Sequence, residues 1–296
     1  MTKPFLGVAL GGGGVRGAAH IGVLQVLHDA GIDIEIVSGV SAGSIIAAMY
    51  ASKKDPFWIE KKIREVWESG DFGASSKKYL KYKNPKSFIA KIRKSFFDHI
   101  MLILSLHRKS VIDRIPLEVA IRSLISHSTF EELKIPLKVV ATNIENGEDI
   151  IYKDGQLVDA LVQSSAIPGI FNPEILDNKT IVDGGVGMPI PIPAIKDDCE
   201  FTLAIDIGLY QFERLDRLNA LSIKRRSDII TSNRLKTRLA LDADFVIRPN
   251  TMGMEWSDFD SADDLFLSGK VAAQDSLPDL KRKINEKQQQ LKMIKE

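Results

Sequence analysis

The sequence predicts an α/β fold of three layers, in which a mostly parallel central sheet lies between two layers of helices. Short apolar runs typical of buried strands are followed, after a glycine turn, by helical apolar spacing. The strand and helix pairs are residues 5–10 with 18–27 and residues 34–37 with 45–50. With 296 residues, 44% of them hydrophobic, the chain can bury one large domain.

Downstream segments extend this pattern. Residues 56–67 alternate apolar and charged positions, which predicts an amphipathic helix, and a further helix is expected from 116 to 133. Residues 136–141 and 201–207 are apolar runs that indicate two more buried strands. Asp206 lies in the second of these runs and is expected to be a structural acid.

Residues 11–17, the glycine loop, join the first strand to the first helix. Such a junction aims several backbone N–H groups at one point and can bind an anion. The anion is either the pyrophosphate of a dinucleotide, on the spacing Gly12-x-Gly14-x-x-Gly17, or the oxyanion of an acyl-transfer intermediate. The dinucleotide reading requires an acid at the end of the second strand, whereas Asp33 and Glu35 lie at its beginning. A turn without a ligand is the remaining alternative.

Ser41 lies between Gly39 and Gly43 at the second strand-to-helix turn. This pattern is the sequence form of a nucleophile elbow, in which a tight turn lifts the serine hydroxyl above the edge of the sheet. The flanking residues must lack bulk because the turn is tight, and the N-terminus of the following helix favours a nearby anion. The alternative is a glycine-rich turn in which Ser41 only caps the helix.

A third glycine motif, Asp183-Gly184-Gly185, follows an apolar run and places a carboxylate at the end of a strand. Taken alone it indicates only a turn. All five histidines precede Asp183, whereas a Ser-His-Asp hydrolase of the α/β type carries its histidine after the acid. His20 lies in the first predicted helix and is expected to pack there.

The three motifs, in this order, resemble the patatin-like phospholipase family, and most closely its compact bacterial members related to neuropathy target esterase. The resemblance covers residues 5 to 275 and includes the stretches 141–148, 164–173 and 243–249. It implies a three-layer α/β/α patatin-like fold. Gly11 departs from the family, in which many members carry an aspartate before the glycines.

The resemblance also implies a serine–aspartate dyad. Ser41 is then the nucleophile and Asp183 the base that takes its proton, and the reaction passes through an acyl-enzyme intermediate. Because a carboxylate is a weak base at neutral pH, the pair must be held at hydrogen-bond distance while an oxyanion hole carries the developing charge. The residues expected to form the oxyanion hole and substrate site are Gly12, Gly13, Gly14, Arg16 and Ala42. The other motif positions are Gly17, Gly39, Gly43, Gly184 and Gly185.

Arg16 is expected to brace the glycine loop or add positive potential. The resemblance implies a serine esterase or lipid acyl hydrolase, of the phospholipase A or lysophospholipase type, with phospholipid or lysophospholipid as substrate. Two alternatives stay open: a lipid-binding regulatory protein with little turnover, and an acyltransferase. We expect no metal and no cofactor, and the sequence shows no zinc-ligand spacing and no calcium loop. We also expect no nucleic-acid partner, since a net charge of +1 gives no preference for polyanions.

One catalytic domain is predicted over residues 1–275, with an insertion at about 70–110 and a charged helical tail at 276–296. Residues 77–109 contain ten Lys or Arg against one acid, a net charge of +9, around an apolar block. This composition suits an interfacial helix on anionic lipid, and equally a helix that packs on the body of the domain or forms a lid. The tail either associates with another chain or stays solvated.

Three absences in the sequence bear on location. The single cysteine, Cys199, excludes an intramolecular disulfide. The stretch before the first strand is too short for a secretory signal, and no apolar run reaches eighteen residues. The expected location is the cytoplasm, with attachment to the inner face of the membrane as a further option.

Overall fold

The computed structural model describes residues 3–68, 110–212, 214–215, 218–254 and 262–295. The basic segment 77–109 lies outside these residues. The strands in the described ranges are β1 (Leu6–Leu10), β2 (Ile36–Val40), β3 (Ser110–Ile112), β4 (Leu137–Asn143), β5 (Glu148–Tyr152), β6 (Gly169–Phe171), β7 (Glu174–Leu176), β8 (Lys179–Asp183), β9 (Phe201–Ile205) and β10 (Phe245–Ile247). The α-helices are α1 (Ala18–Asp29), α2 (Ala42–Lys53), α3 (Pro56–Glu68), α4 (Ile115–Leu124), α5 (Leu157–Ser164), α6 (Ile192–Ile195), α7 (Ala220–Ala240) and α8 (Ala262–Lys295).

An eight-stranded sheet forms the centre of the fold, in the order β10-β9-β1-β2-β4-β8-β7, with β5 also paired to β4. The strands from β10 to β4 are mutually parallel, whereas β5, β8 and β7 join the sheet in antiparallel pairs. Every residue of β1, β2 and β9 is buried. This is the expected state of parallel strands that helices cover on both faces.

Alternate residues of the central strands pack against two different helical layers, because side chains alternate across a sheet. Val8 packs with apolar residues of α1, α2, α3 and α8 on one face. Ala9 packs with α6 and the end of α7 on the other face. The predicted three-layer α/β fold with a mostly parallel sheet is therefore confirmed.

The helix predicted from 116 to 133 is wrong in its extent. Helix α4 ends at Leu124 because Ile125 adopts an extended conformation (φ −112°, ψ 119°) and buries its side chain. The backbone beyond it bonds to another segment: the Leu157 N–H donates to Ser128 O, and the Phe130 N–H donates to Gly155 O. Long-range pairing thus replaces the last two predicted turns of the helix.

Helix α8 extends to Lys295, so the domain boundary suggested at 275 falls inside a continuous helix. Its first part packs closely on α1, where a Cβ on Gly22 would lie 2.1 Å from Phe266 O. Its last residues are exposed. Association of the tail with another chain stays a prediction. No helix in the described ranges is long and apolar enough to cross a membrane.

Candidate active site

The sheet brings the three glycine motifs together. In parallel register Leu10 pairs with both Gly39 and Ile205, so the carboxyl ends of β1, β2 and β9 meet at one edge of the sheet. Ligand sites of open α/β sheets form at this edge. The glycine loop after β1 and the serine turn after β2 are neighbours there: a Cβ on Gly12 would lie 3.4 Å from the Ser41 Cβ.

Asp183 lies at the same edge of the sheet, although its strand β8 runs antiparallel to β4. One edge of β4 pairs with β5, so β2 and β8 share its other edge. Val40, the last residue of β2, pairs with Val140, and Asp183, the last residue of β8, pairs with Ala141. The two strands therefore meet end to end, which brings Asp183 to the residue that follows β2.

Ser41 occupies a strained turn between β2 and α2. Its backbone has φ 55° and ψ −131°, a conformation that costs a non-glycine residue of order 1–3 kcal/mol and is typical of functional sites. A Cβ on Gly39 would lie 2.4 Å from the Ser44 Cα, and one on Gly43 would lie 2.2 Å from Leu10 O. The predicted lack of bulk on both sides of Ser41 is confirmed.

Ser164 holds this turn against β4. The Ser41 N–H donates to Ser164 Oγ at 2.9 Å, and Ser164 Oγ donates to Val140 O at 2.6 Å. In the sequence, Ser164 is marked only as part of the stretch 164–173 of the family resemblance. Its contact with Ser41 spans 123 positions, so no local pattern could have revealed it.

The Ser41 hydroxyl faces the Asp183 carboxylate closely enough to lower its pKa, and Asp183 Oδ1 accepts the Gly185 N–H at 2.7 Å. Both side chains are almost enclosed, since Ser41 is 8% and Asp183 is 6% exposed. Burial raises the pKa of Asp183 to about 6, against the smaller lowering effects of Ser41, Gly185 and the charge of Lys236. The carboxylate is therefore ionised at neutral pH but more basic than an ordinary aspartate.

Three buried side chains hold three successive carbonyl groups of the glycine loop. His20 Nε2 bonds to Gly11 O at 2.8 Å, Lys236 Nζ donates to Gly12 O at 2.8 Å, and Arg16 Nε donates to Gly13 O at 3.0 Å. The bracing contact predicted for Arg16 is thus confirmed. His20 is fully buried in α1, as expected, and its desolvation lowers its pKa to about 4. It is therefore neutral and donates through Nε2.

In the described ranges, some N–H groups of the glycine loop donate to backbone carbonyls and others do not. Gly11 N–H donates to Ile205 O and Gly12 N–H donates to Pro189 O, each at 3.1 Å. The expectation that Gly12 supplies an oxyanion donor is corrected accordingly, because its N–H is already paired. Within the described ranges no backbone carbonyl accepts the N–H of Gly13 or Gly14. These two are therefore candidate donors to an anion.

An apolar cavity of about 170 Å³ begins beside the serine turn. Gly14, Gly17 and Ala42 line its end near the site, and α3 and α4 contribute Ile63 and Ile121 farther away. No charged side chain lines it among the described residues. The cavity is therefore suited to an apolar group attached to an atom that reacts at Ser41.

The chain is similar in sequence to known proteins. Residues 8–195 match the family described as patatin-like phospholipase. Uncharacterized NTE family proteins of Mycobacterium tuberculosis are 28% identical over 211 residues, which is 70% of this chain and 50% of theirs. The chain thus spans about half the length of these relatives. Patatin-like phospholipase domain-containing protein 6 of Homo sapiens is 26% identical over 211 residues, 70% of this chain and 14% of that protein.

Among solved structures, human GIVD cytosolic phospholipase A2 superposes with a TM-score of 0.50. The superposition covers 96% of this chain and 60% of that chain, at 9% sequence identity. At this identity the likeness bears on the fold alone.

Proposed function

The chain belongs to the patatin-like phospholipase family, and from this membership we propose that it is a serine hydrolase of lipid acyl esters. The observation that carries the proposal is the interaction of the strained Ser41 with the buried Asp183, beside the Gly13 and Gly14 N–H groups, which no backbone carbonyl of the described residues accepts. A nucleophile, a base with a raised pKa and an anion site are the three parts that acyl transfer requires.

In the proposed mechanism, Ser41 Oγ attacks the ester carbonyl carbon while Asp183 takes the hydroxyl proton. The carbonyl oxygen becomes an oxyanion, which the N–H groups of Gly13 and Gly14 stabilise. Collapse of this intermediate breaks the bond to the alcohol, and Asp183 returns the proton to the leaving oxygen. Water then attacks acyl-Ser41 by the same steps in reverse, with Asp183 again as the base.

The apolar cavity beside Ala42 favours an acyl chain as the group that is held during the reaction. Its volume of about 170 Å³ is comparable to that of cavities that accommodate small apolar molecules, so it suits one segment of an acyl chain. We therefore propose a phospholipid or lysophospholipid as the substrate, cleaved in the manner of a phospholipase A or lysophospholipase.

Mass-spectrometric product analysis tests this proposal. The protein is incubated with a panel of phospholipids, lysophospholipids and neutral esters, with Ser41→Ala as the control. Release of fatty acid by the wild type alone supports lipid acyl hydrolysis. Appearance of an acylated acceptor in place of fatty acid would identify an acyltransferase. Unchanged lipids in every reaction would favour a lipid-binding regulatory protein.

A further inference from the structure

Lys236 is a buried cation at the candidate site that lies outside every motif of the sequence. It projects from α7, its side chain is enclosed, and the residue is only 4% exposed. Burying an ammonium group is costly unless it is paired. Its hydrogen bond is to Gly12 O at 2.8 Å, across 224 positions of the chain. The ammonium therefore lies on the backbone of the glycine loop.

This contact has a geometric consequence for the next residue. The carbonyl of Gly12 and the N–H of Gly13 belong to one peptide unit, which is planar and trans. In such a unit the C=O and N–H bonds point in opposite directions. Holding the Gly12 oxygen on the side of α7 therefore fixes the direction of the Gly13 N–H on the other side.

The neighbouring peptides show that this arrangement is selective. Arg16 holds the Gly13 carbonyl, whose peptide unit carries the N–H of Gly14. His20, which is neutral, holds the Gly11 carbonyl, whose peptide unit carries the paired N–H of Gly12. Of the three peptides whose carbonyls these side chains hold, the two that bond to cations are those whose N–H no backbone carbonyl of the described residues accepts. A charged donor on the carbonyl polarises the peptide and strengthens its N–H as a donor.

We propose that Lys236 is a positioning residue of the oxyanion hole, and that it orients and polarises the Gly13 N–H through the Gly12 carbonyl. This inference rests on the proposed hydrolase function. Lys236 does not touch substrate; it acts only through the loop backbone.

The charged surroundings of Lys236 make the role pH-dependent. Arg16, Asp206 and Asp183 face it from the glycine loop, the end of β9 and the end of β8, and neutral His20 faces it from α1. Burial, followed by the charge of Arg16, lowers the pKa of Lys236 to about 8. As the pH rises through this value the ammonium becomes an amine, so the polarising charge is lost. Turnover should then decline on the alkaline side.

The test compares Lys236→Met with Lys224→Met, a matched control that removes an exposed lysine from the same helix. For a soluble short-chain ester at pH 7 we expect Lys236→Met to lower kcat by about 10- to 100-fold. This decrease is smaller than the one caused by removing a whole oxyanion-hole donor. KM should change by less than about twofold, because the oxyanion exists only in the transition state and intermediate. The control should match the wild type.

The pH profile of kcat/KM separates positioning from a merely structural effect. The wild type should show an alkaline limb near pH 8, as the pKa of Lys236 implies. Lys236→Arg, which stays charged at this pH, should keep a measurable part of the turnover and lose that limb. If Lys236→Met fails to fold, the pH profiles of the wild type and of Lys236→Arg still test the positioning role of Lys236.

Two results would overturn the role of Lys236: a kcat of Lys236→Met within twofold of the wild type, or a wild-type profile that stays flat from pH 7 to 9.5. Neither result touches the proposed function, which stands if Ser41→Ala abolishes the wild-type turnover. Absence of turnover in the wild type would overturn both.

Discussion

The carboxyl group of Asp183 has a pKa raised to about 6, chiefly by burial. In the unfolded chain the same group has an ordinary pKa of about 4. Between these values the folded state binds more protons than the unfolded state, so the free energy of unfolding falls as the pH rises from about 4 to about 6. Above that range the ionised carboxylate costs the folded state about 3 kcal/mol, a cost that a catalytic base requires.

Asp183→Asn is therefore expected to abolish turnover and at the same time to raise the Tm at pH 7.5 by a few degrees. The asparagine has no charge to desolvate and still offers an oxygen to the Gly185 N–H. Because Asp183 is protonated below about pH 4, the difference in Tm should vanish there. Scanning calorimetry at several pH values measures this, with the exposed Asp228→Asn as a control. A lower Tm for Asp183→Asn, equal at every pH, would contradict the assignment.

Ser164→Ala should reduce kcat about tenfold or more, because the Ser41 N–H and Val140 O each lose a buried partner. Leaving such groups unpaired costs about 1–3 kcal/mol. The neighbouring Ser165→Ala is a matched control, since Ser165 is also buried but its hydroxyl has no partner in the described part of the chain. Steady-state kinetics and thermal denaturation of both variants check this. Equal behaviour of the two variants would show that the Ser164 contact does not hold the turn.

At this scale the sequence could predict the residues that lie within local motifs. Ser41, Asp183 and the glycine loop are each marked by glycines that a close approach or a tight turn requires. Ser164, Lys236 and the bracing bond of His20 could not be predicted, because only tertiary packing brings them to the site.

At the scale of elements, α3 and α4 form the far wall of the apolar cavity, and Ala120 on α4 is part of that wall. Ala120→Phe should fill the cavity. We expect kcat/KM for a long-chain ester to fall at least about tenfold relative to a butyrate ester, since a hydrophobic pocket loses about 1–3 kcal/mol per excluded group. The adjacent Val119→Phe, at a position that is 62% exposed, is the control. A uniform loss for both esters would mean that the cavity does not hold the acyl chain.

The same elements show where sequence patterns reach their limit. Strands and helices joined by glycine turns were predicted correctly, because the apolar period and the turn residues agree. Helix α4 was predicted too long, because residues 125–133 keep an apolar spacing while their backbone bonds to residues 155–157. The carboxyl ends of β2 and β8 meet on one edge of β4, and this contact likewise arises only in the assembled sheet.

At the scale of the whole molecule, charge is unevenly distributed along the chain. Residues 77–109 carry +9, although the net charge of the chain is +1. This segment lies outside the described residues, so the prediction rests on composition alone. Each basic residue near an anionic membrane contributes about 1 kcal/mol of attraction, which salt screens.

Replacing five lysines of this segment by glutamate should weaken sedimentation with phosphatidylglycerol vesicles and spare turnover of a soluble short-chain ester. The positions are Lys77, Lys78, Lys81, Lys83 and Lys86. Sedimentation at low and high salt checks the electrostatic origin, and vesicles of neutral lipid serve as the control. Unchanged vesicle binding would leave these lysines as an ordinary solvated surface, and loss of soluble-ester turnover would indicate a lid or structural role.

The central claim is that Ser41 is a nucleophile activated by Asp183, and covalent labelling by a fluorophosphonate tests it most directly. Intact-mass measurement should show one adduct per wild-type chain, which peptide mapping assigns to Ser41. Ser41→Ala should not be labelled, and Asp183→Asn should be labelled at least about a hundredfold more slowly, as loss of a general base implies. Labelling of Ser41→Ala at the wild-type rate, or of Asp183→Asn without any delay, would contradict the account.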